Sequence, residues 1–224
     1  KITADNGLTG YAPGPAFARA QEEINTKVPS FLIGKNPLEW RQFGFIGSLE
    51  TLKTYYATEV ALLDMVGKYE GCSISELMGG RVRSEIKLYG SAGMYMPPDK
   101  YAEEAAAIQS MGFSAYKMRP GLGPDDDLKT VELMRNATGP DFELMVDAHT
   151  WWRMGDRSYS EKIIHDLAGS FQQYRPYWLE EPLPPEDHLA YKKLKAKNIV
   201  PVATGEHEQE YEGFEDLARL NATD

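Results

Sequence analysis

From residue 84 onward, short apolar runs alternate with longer segments of helical pattern, and this alternation restricts the folds open to the chain. The runs have the length and composition of buried strands, and they lie near residues 86–90, 115–119, 144–147, 177–180 and 200–206. Helical patterns lie near residues 99–111, 125–137, 158–173, 186–196 and 211–220. Five strand–helix units in succession predict an α/β fold, in which a parallel sheet is built with right-handed crossovers.

The segment before residue 84 follows a different pattern. Residues 1–11 indicate a hairpin with a tight turn at Asp5-Asn6-Gly7. Residues 12–30 are predicted to start as a Pro/Gly-rich loop and continue as a helix, and a second helix is predicted over residues 49–69. We therefore divide the chain into residues 1–83 and 84–224. Because eight strands close a parallel barrel, five units predict only the first portion of one, in a chain truncated relative to the whole protein. An open five-stranded sheet is the alternative.

The composition disfavours several classes of partner. The formal net charge of −10 over 224 residues argues against nucleic acid or an anionic membrane. We find neither a long apolar span nor a signal-peptide pattern. Cys72 is the only cysteine, so no disulfide can form within the chain, and we expect a reducing, cytoplasmic location.

Three acidic residues stand at the ends of the last three apolar runs. They are Asp147, Glu180 and Glu206, and about one strand–helix unit separates each from the next. A carboxylate directly after a buried strand is costly unless its charge is compensated. At the carboxyl ends of consecutive parallel strands, the three would converge into an oxygen-only site of the kind that Mg²⁺ prefers. The alternative is that each acid caps the helix that follows it.

The chain resembles the enolase superfamily, in its mandelate racemase-like branch. Residues 5–11, 61–68 and 76–80 resemble the end of that family's capping domain, and the barrel motifs are Tyr116-Lys117-Met118-Arg119, Val146-Asp147-Ala148-His149, Trp178-Leu179-Glu180-Glu181-Pro182-Leu183 and Thr204-Gly205-Glu206-His207. The resemblance implies part of an α+β capping domain followed by part of a (β/α)8 TIM-like barrel. It also implies a Mg²⁺ site formed by Asp147, Glu180 and Glu206. Glu180 is preferred to Glu181 because the family pattern places the ligand first.

Lys117 and Arg119 are two residues apart on a predicted strand, so both side chains point to the same face, either the barrel interior or the helix-facing layer. The family more often has Lys-x-Lys here, and its second lysine removes the α-proton. Arg119 departs from that pattern, and a guanidinium is a poor base because it stays protonated. We expect Arg119 to bind a carboxylate or stabilise an enolate oxygen, and Lys117 to act as a base or an electrostatic stabiliser.

Two histidines lie beside the acids. His149 lies two residues beyond Asp147, on the same side of an extended strand, where it can protonate a departing hydroxyl as a general acid. An Asp-x-His at this point resembles the sugar-acid dehydratases of the family, including those acting on galactonate and mannonate. His207 follows Glu206 directly in a stretch that resembles the rhamnonate dehydratase type, and we predict that it contacts the substrate.

These features together predict a Mg²⁺-dependent lyase that dehydrates an acid sugar. A base removes the proton α to the carboxylate, the metal with Lys117 or Arg119 holds the enediolate, and His149 assists loss of the β-hydroxyl. The family often takes its base from a later barrel strand, so the base stays unassigned. The alternatives are a racemase, epimerase or cycloisomerase using the same enolate, and a catalytically silent carboxylate-binding relative. We expect an acid-sugar substrate, a homo-oligomer, and no nucleic-acid or membrane partner.

Overall fold

The computed structural model describes residues 1–14, 18–43, 55–208 and 211–224. The chain forms two compact units, Lys1–Ile86 and Lys87–Asp224. Among the described residues, no helix is both long enough and apolar enough to cross a membrane.

The first unit combines a small hairpin with helices, in agreement with the predicted α+β composition. Its strands β1 (Ile2–Thr3) and β2 (Thr9–Gly10) pair antiparallel, and its helices are α1 (Ala18–Leu32), a 3₁₀ helix (Pro37–Gln42), α2 (Tyr55–Glu70) and α3 (Ile74–Leu77). A small core holds this unit together, formed by Trp40, Phe43, Leu62, Leu63 and Val66. The helices predicted over residues 12–30 and 49–69 are present in part, and residues 15–17 and 49–54 lie outside the described residues.

The second unit is a parallel α/β layer structure, which confirms the predicted fold class. Its strands are β3 (Gly90–Met94), β4 (Ala115–Arg119), β5 (Glu143–Asp147), β6 (Trp178–Glu180) and β7 (Val202–Ala203), and they lie side by side in chain order. The helices that follow them are α4 (Pro98–Ser110), α5 (Pro124–Thr138), α6 (Glu161–Phe171), α7 (His188–Ala196) and α8 (Tyr211–Leu220). Chain order within a parallel sheet brings the carboxyl ends of all five strands to one edge.

The two faces of the sheet differ in chemistry because side chains alternate along each strand. One face carries apolar residues that join the helices in the main core, among them Tyr116, Met118, Leu144, Val146, Leu179 and Val202. Lys117 and Arg119 occupy the alternate positions on β4, so they lie on the opposite face. The spacing alone allowed either face of the sheet for Lys117 and Arg119. In the structure, neither of these side chains faces the helices.

Two predicted strands differ from the structure. The run at residues 86–90 is not a strand: Ile86 and Leu88 are exposed, and β3 begins where that run ends. β3 was missed because Gly and Ser, which are poor strand formers, make up much of it; Gly90 pairs with Tyr116 in the ladder. The last strand is shorter than residues 200–206, because Gly205 adopts φ +122° and turns the chain into a loop.

Candidate active site at the carboxyl edge of the sheet

Asp147 is the centre of a charged cluster at the end of β5. Its carboxylate is fully buried, and three cationic or potentially cationic groups contact it. Arg119 Nε donates to Oδ2 at 2.8 Å, Lys117 Nζ lies 3.2 Å from the same oxygen, and His149 Nδ1 lies 2.8 Å from Oδ1. A buried carboxylate is tolerated only when it is paired in this way.

Glu180 is the second acid of this cluster. It stands beside Asp147 in the register of β5 and β6, so the two carboxylates belong to neighbouring strands at the same level. Lys117 Nζ donates to Glu180 Oε1 at 2.7 Å, and Trp178 Nε1 donates to Oε2 at 2.9 Å. One ammonium group therefore balances two carboxylates.

The contacts determine which groups are charged. Burial by itself would raise the pKa of Asp147, but the hydrogen bond from His149 and the positive charges of Lys117 and Arg119 outweigh it and lower that pKa. Burial would likewise lower the pKa of Lys117, but the hydrogen bond to Glu180 and the charge of Asp147 raise it above the ordinary lysine value. In this arrangement the Lys117 ammonium group is paired with both carboxylates.

Glu206 and His207 lie on the loop after β7, and the structure does not gather them into the same cluster. The Glu206 side chain is 46% exposed, and its charge acts on Arg119 without a direct contact. His207 Nδ1 lies 3.4 Å from Glu181 Oε2, and the His207 ring packs edge-to-face on Trp152. Within the described ranges, no group of three or more His, Cys, Asp or Glu side chains is placed as a ready metal site.

A family model described as "Enolase C-terminal domain-like" matches residues 100–224, which is most of the second unit. The chain belongs to the enolase superfamily. A solved structure at 26% identity and a TM-score of 0.85, described as a "putative mandelate racemase" of Bordetella bronchiseptica, supports the mandelate racemase-like branch, so the resemblance seen in the sequence motifs is confirmed. In this superfamily member, the matched region includes all the charged residues described above.

Three relatives illustrate the range of the superfamily around this chain. The D-galactarolactone cycloisomerase of Agrobacterium fabrum is 30% identical over 220 residues, covering 92% of this chain and 56% of the relative. The crystal structure of the 3,6-anhydro-D-galactonate cycloisomerase of Zobellia galactanivorans is 30% identical, with a TM-score of 0.85, over 100% of this chain and 64% of that protein. The N-succinyl Arg/Lys racemase of Bacillus cereus shares the fold, with a TM-score of 0.89 at 23% identity over 100% of this chain and 62% of its own. The chain thus spans less than two thirds of each relative.

The acids of this superfamily member suit Mg²⁺ in their donor chemistry. All three candidates offer only oxygen, which is the ligand type that Mg²⁺ prefers. The lowered pKa of Asp147 keeps it ionised at neutral pH, and its register partner Glu180 lies beside it. Glu206 follows the next strand, at the same edge of the sheet.

Two residues near the site make contacts that the sequence analysis does not predict. Asp127 lies in the first turn of α5, where it is buried and accepts hydrogen bonds from four donors. The donors are Gly121 N, Leu122 N, Trp151 Nε1 and Tyr159 Oη, which join the loops after β4 and β5. Trp178 also went unnoticed as a partner of Glu180, although their spacing of two residues on one strand was a usable signal.

Proposed function

We propose that this protein is a Mg²⁺-dependent dehydratase that forms an enolate from an acid sugar and eliminates its β-hydroxyl. The contacts of Asp147 carry the proposal. A guanidinium, an ammonium and an imidazole meet on one buried carboxylate. This is the set of groups needed to bind an anion, balance its charge and move a proton in one place.

Asp147, Glu180 and Glu206 would hold the Mg²⁺, which when bound supplies Lewis-acid stabilisation of a substrate carboxylate. Arg119 is anchored to Asp147 through Nε. We assign its terminal guanidinium nitrogens to an oxygen of the substrate carboxylate, since a guanidinium recognises carboxylates by paired hydrogen bonds. Lys117 contacts both Asp147 and Glu180, and we assign it as an electrostatic stabiliser that balances the acids.

His149 has the role of general acid in this proposal. Asp147 engages Nδ1, and this orients the ring and leaves Nε2 for the substrate. A general base accepts the proton from Cα, the electron pair of the broken Cα–H bond forms the C=C bond, and the bond from Cβ to the hydroxyl oxygen breaks. The proton of His149 Nε2 passes to that oxygen, so water leaves, and the enol product tautomerises to a 2-keto-3-deoxy acid.

A cycloisomerase is the second candidate, and the two relatives at 30% identity favour it because both are named as cycloisomerases. The same residues would serve. If the β-oxygen belongs to a ring of the substrate, its elimination opens the ring instead of releasing water. The product is then an isomer of the substrate, and His149 protonates the ring oxygen.

The test is incubation of the protein with Mg²⁺ and a panel of open-chain sugar acids, sugar lactones and anhydro sugar acids, followed by mass spectrometry. A dehydratase gives a product lighter than its substrate by one water. A cycloisomerase gives a product of unchanged mass that carries a new keto group. If the α-proton exchanges for solvent deuterium and neither product forms, both candidate functions are wrong and a racemase or epimerase is indicated. Metal binding with no conversion of any compound would indicate a catalytically silent relative.

A further inference from the structure

Glu181 is a buried acid that the proposed chemistry does not use. It follows Glu180 directly, yet its side chain turns away and is fully buried. Its backbone adopts φ +47°, a left-handed conformation that is uncommon for a residue with a side chain. Unfavourable backbone conformations of this kind persist where the surrounding structure fixes them, and they cluster at functional sites.

The carboxylate of Glu181 binds the loop that follows β7. Thr204 Oγ1 and Gly205 N both donate to Oε1, at 2.8 and 2.9 Å. The backbone adds a bond at the start of that loop, because Glu181 N donates at 2.9 Å to the carbonyl oxygen of Ala203, the last residue of β7. This is the loop that carries Glu206 and His207, so Glu181 contacts the chain immediately before both candidate site residues.

The second oxygen of Glu181, Oε2, accepts a hydrogen bond from Tyr191 Oη at 3.3 Å and also faces His207. His207 Nδ1 lies 3.4 Å from Oε2. That nitrogen is buried and has no hydrogen-bond partner among the described residues. Trp152 contacts both Glu181 and His207. Its Nε1 donates to Glu181 O at 2.9 Å, and its ring packs on the His207 imidazole with centroids 5.7 Å apart. Buried polar groups are usually hydrogen-bonded, and a small rotation of the His207 ring would let Nδ1 donate to the Glu181 carboxylate.

We propose that Glu181 is a positioning residue for the loop at residues 204–207. Its Oε1 fixes the backbone that presents Glu206, and its Oε2 accepts the Nδ1 proton of His207. The Nε2 lone pair of His207 is thereby left to accept a hydrogen bond from a substrate hydroxyl. The inference rests on the proposed function for the meaning of Glu206 and His207, but the contacts of Glu181 do not depend on it.

Asp127 provides the matched control for Glu181. It is also a buried acid at the same edge of the sheet, and it also joins two neighbouring loops. The partners of the Asp127 carboxylate lie in the loops after β4 and β5, whereas those of the Glu181 carboxylate are Tyr191 in α7 and the loop after β7. Loss of a buried charge should therefore destabilise both variants, but only Glu181→Gln should alter the position of the loop at residues 204–207.

The experiment compares Glu181→Gln with Asp127→Asn in three measurements made without substrate. Titration calorimetry gives the Mg²⁺ affinity, ¹⁵N NMR at one fixed pH in EDTA gives the tautomer of His207, and thermal unfolding gives stability. We expect Glu181→Gln to weaken Mg²⁺ binding by about 10- to 100-fold, the usual cost of losing a group that orients a metal ligand. We also expect it to move the proton of His207 from Nδ1 to Nε2. Asp127→Asn should change neither.

Three results would overturn the proposal. In the first, Glu181→Gln leaves both the Mg²⁺ affinity and the His207 tautomer unchanged. In the second, Asp127→Asn changes them equally, so that a general loss of structure explains both. In the third, Glu206→Gln moves the His207 proton while Glu181→Gln does not, which assigns Nδ1 to Glu206, whose Oε1 lies 3.9 Å away.

Thr204→Val, which removes one bond to Glu181 Oε1, replaces Glu181→Gln if that variant does not fold, and a smaller loss of Mg²⁺ affinity is expected. Because no substrate is used, a failed search for activity leaves these results intact.

Discussion

His149 Nδ1 and Asp147 Oδ1 lie 2.8 Å apart, so the imidazole is oriented by the same buried carboxylate that contacts Lys117 and Arg119. The contact links two proposed roles, metal binding by Asp147 and proton transfer by His149. A change at either residue should therefore affect both.

His149→Asn removes the group assigned to protonate the leaving oxygen. We expect kcat to fall by about 10²- to 10⁴-fold, the usual contribution of a general acid, with the fold retained. Steady-state kinetics on the substrate found in the panel would measure this. His165→Gln is the control, because His165 lies in α6 and should leave kcat unchanged. An unaltered kcat in His149→Asn would remove His149 from the mechanism.

Lys117→Met removes the ammonium group that balances Asp147 and Glu180. In EDTA we expect the free energy of unfolding to fall by about 3–5 kcal/mol, because Glu180 loses its ion-pair partner and Asp147 loses one of its three partners. Urea denaturation would measure this loss, and added Mg²⁺ should restore part of it. Lys129→Met removes an exposed lysine paired with Glu132 and should change stability by no more than about 0.5 kcal/mol. Equal effects of the two variants would contradict the role of Lys117.

Mg²⁺ should stabilise the protein, and removal of one candidate ligand should abolish this effect. At 100 times its Kd, a ligand that binds only the folded state adds about 2.7 kcal/mol to the free energy of unfolding. Thermal unfolding with Mg²⁺ and with EDTA would show the difference in the wild type, and we expect it to be lost in Glu206→Gln. Glu212→Gln, at an exposed acid in the first turn of α8, should keep the full effect. A Mg²⁺ effect that survives in Glu206→Gln would exclude Glu206 as a ligand.

The charged cluster should make stability depend on pH at both extremes when Mg²⁺ is absent. The pKa of Asp147 is lowered from 3.8, so its stabilising contribution is complete above 3.8 and is lost as the pH falls through the folded-state pKa. The pKa of Lys117 is raised from 10.5, so its contribution is complete below 10.5 and is lost as the pH rises further. Urea denaturation in EDTA should show a steeper acid decline for the wild type than for Asp147→Asn. If the free energy of unfolding declines equally steeply at acid pH in both proteins, Asp147 is not the source of the pH dependence.

The sequence alone determined the elements whose signal is local. β4 and α8 have the bounds that the pattern predicted, because an apolar run bounded by turn residues and a helical periodicity can both be seen within a few residues. The positions of Asp147 and Glu180 at the ends of their strands were visible for the same reason. The family motifs added the superfamily, since they depend on residue identity and order alone.

Only the tertiary structure decided which of these residues meet. Lys117 contacts Glu180 across 63 positions of the chain, and nothing in the spacing of either residue shows that one ammonium group would serve two acids. The burial of Asp127 and Glu181 was equally hidden, because each accepts hydrogen bonds from loops remote in sequence. Strand register and loop packing depend on residues that are far apart in the chain. They therefore determine which side chains of the site are in contact, although the residue types themselves can be seen in the sequence.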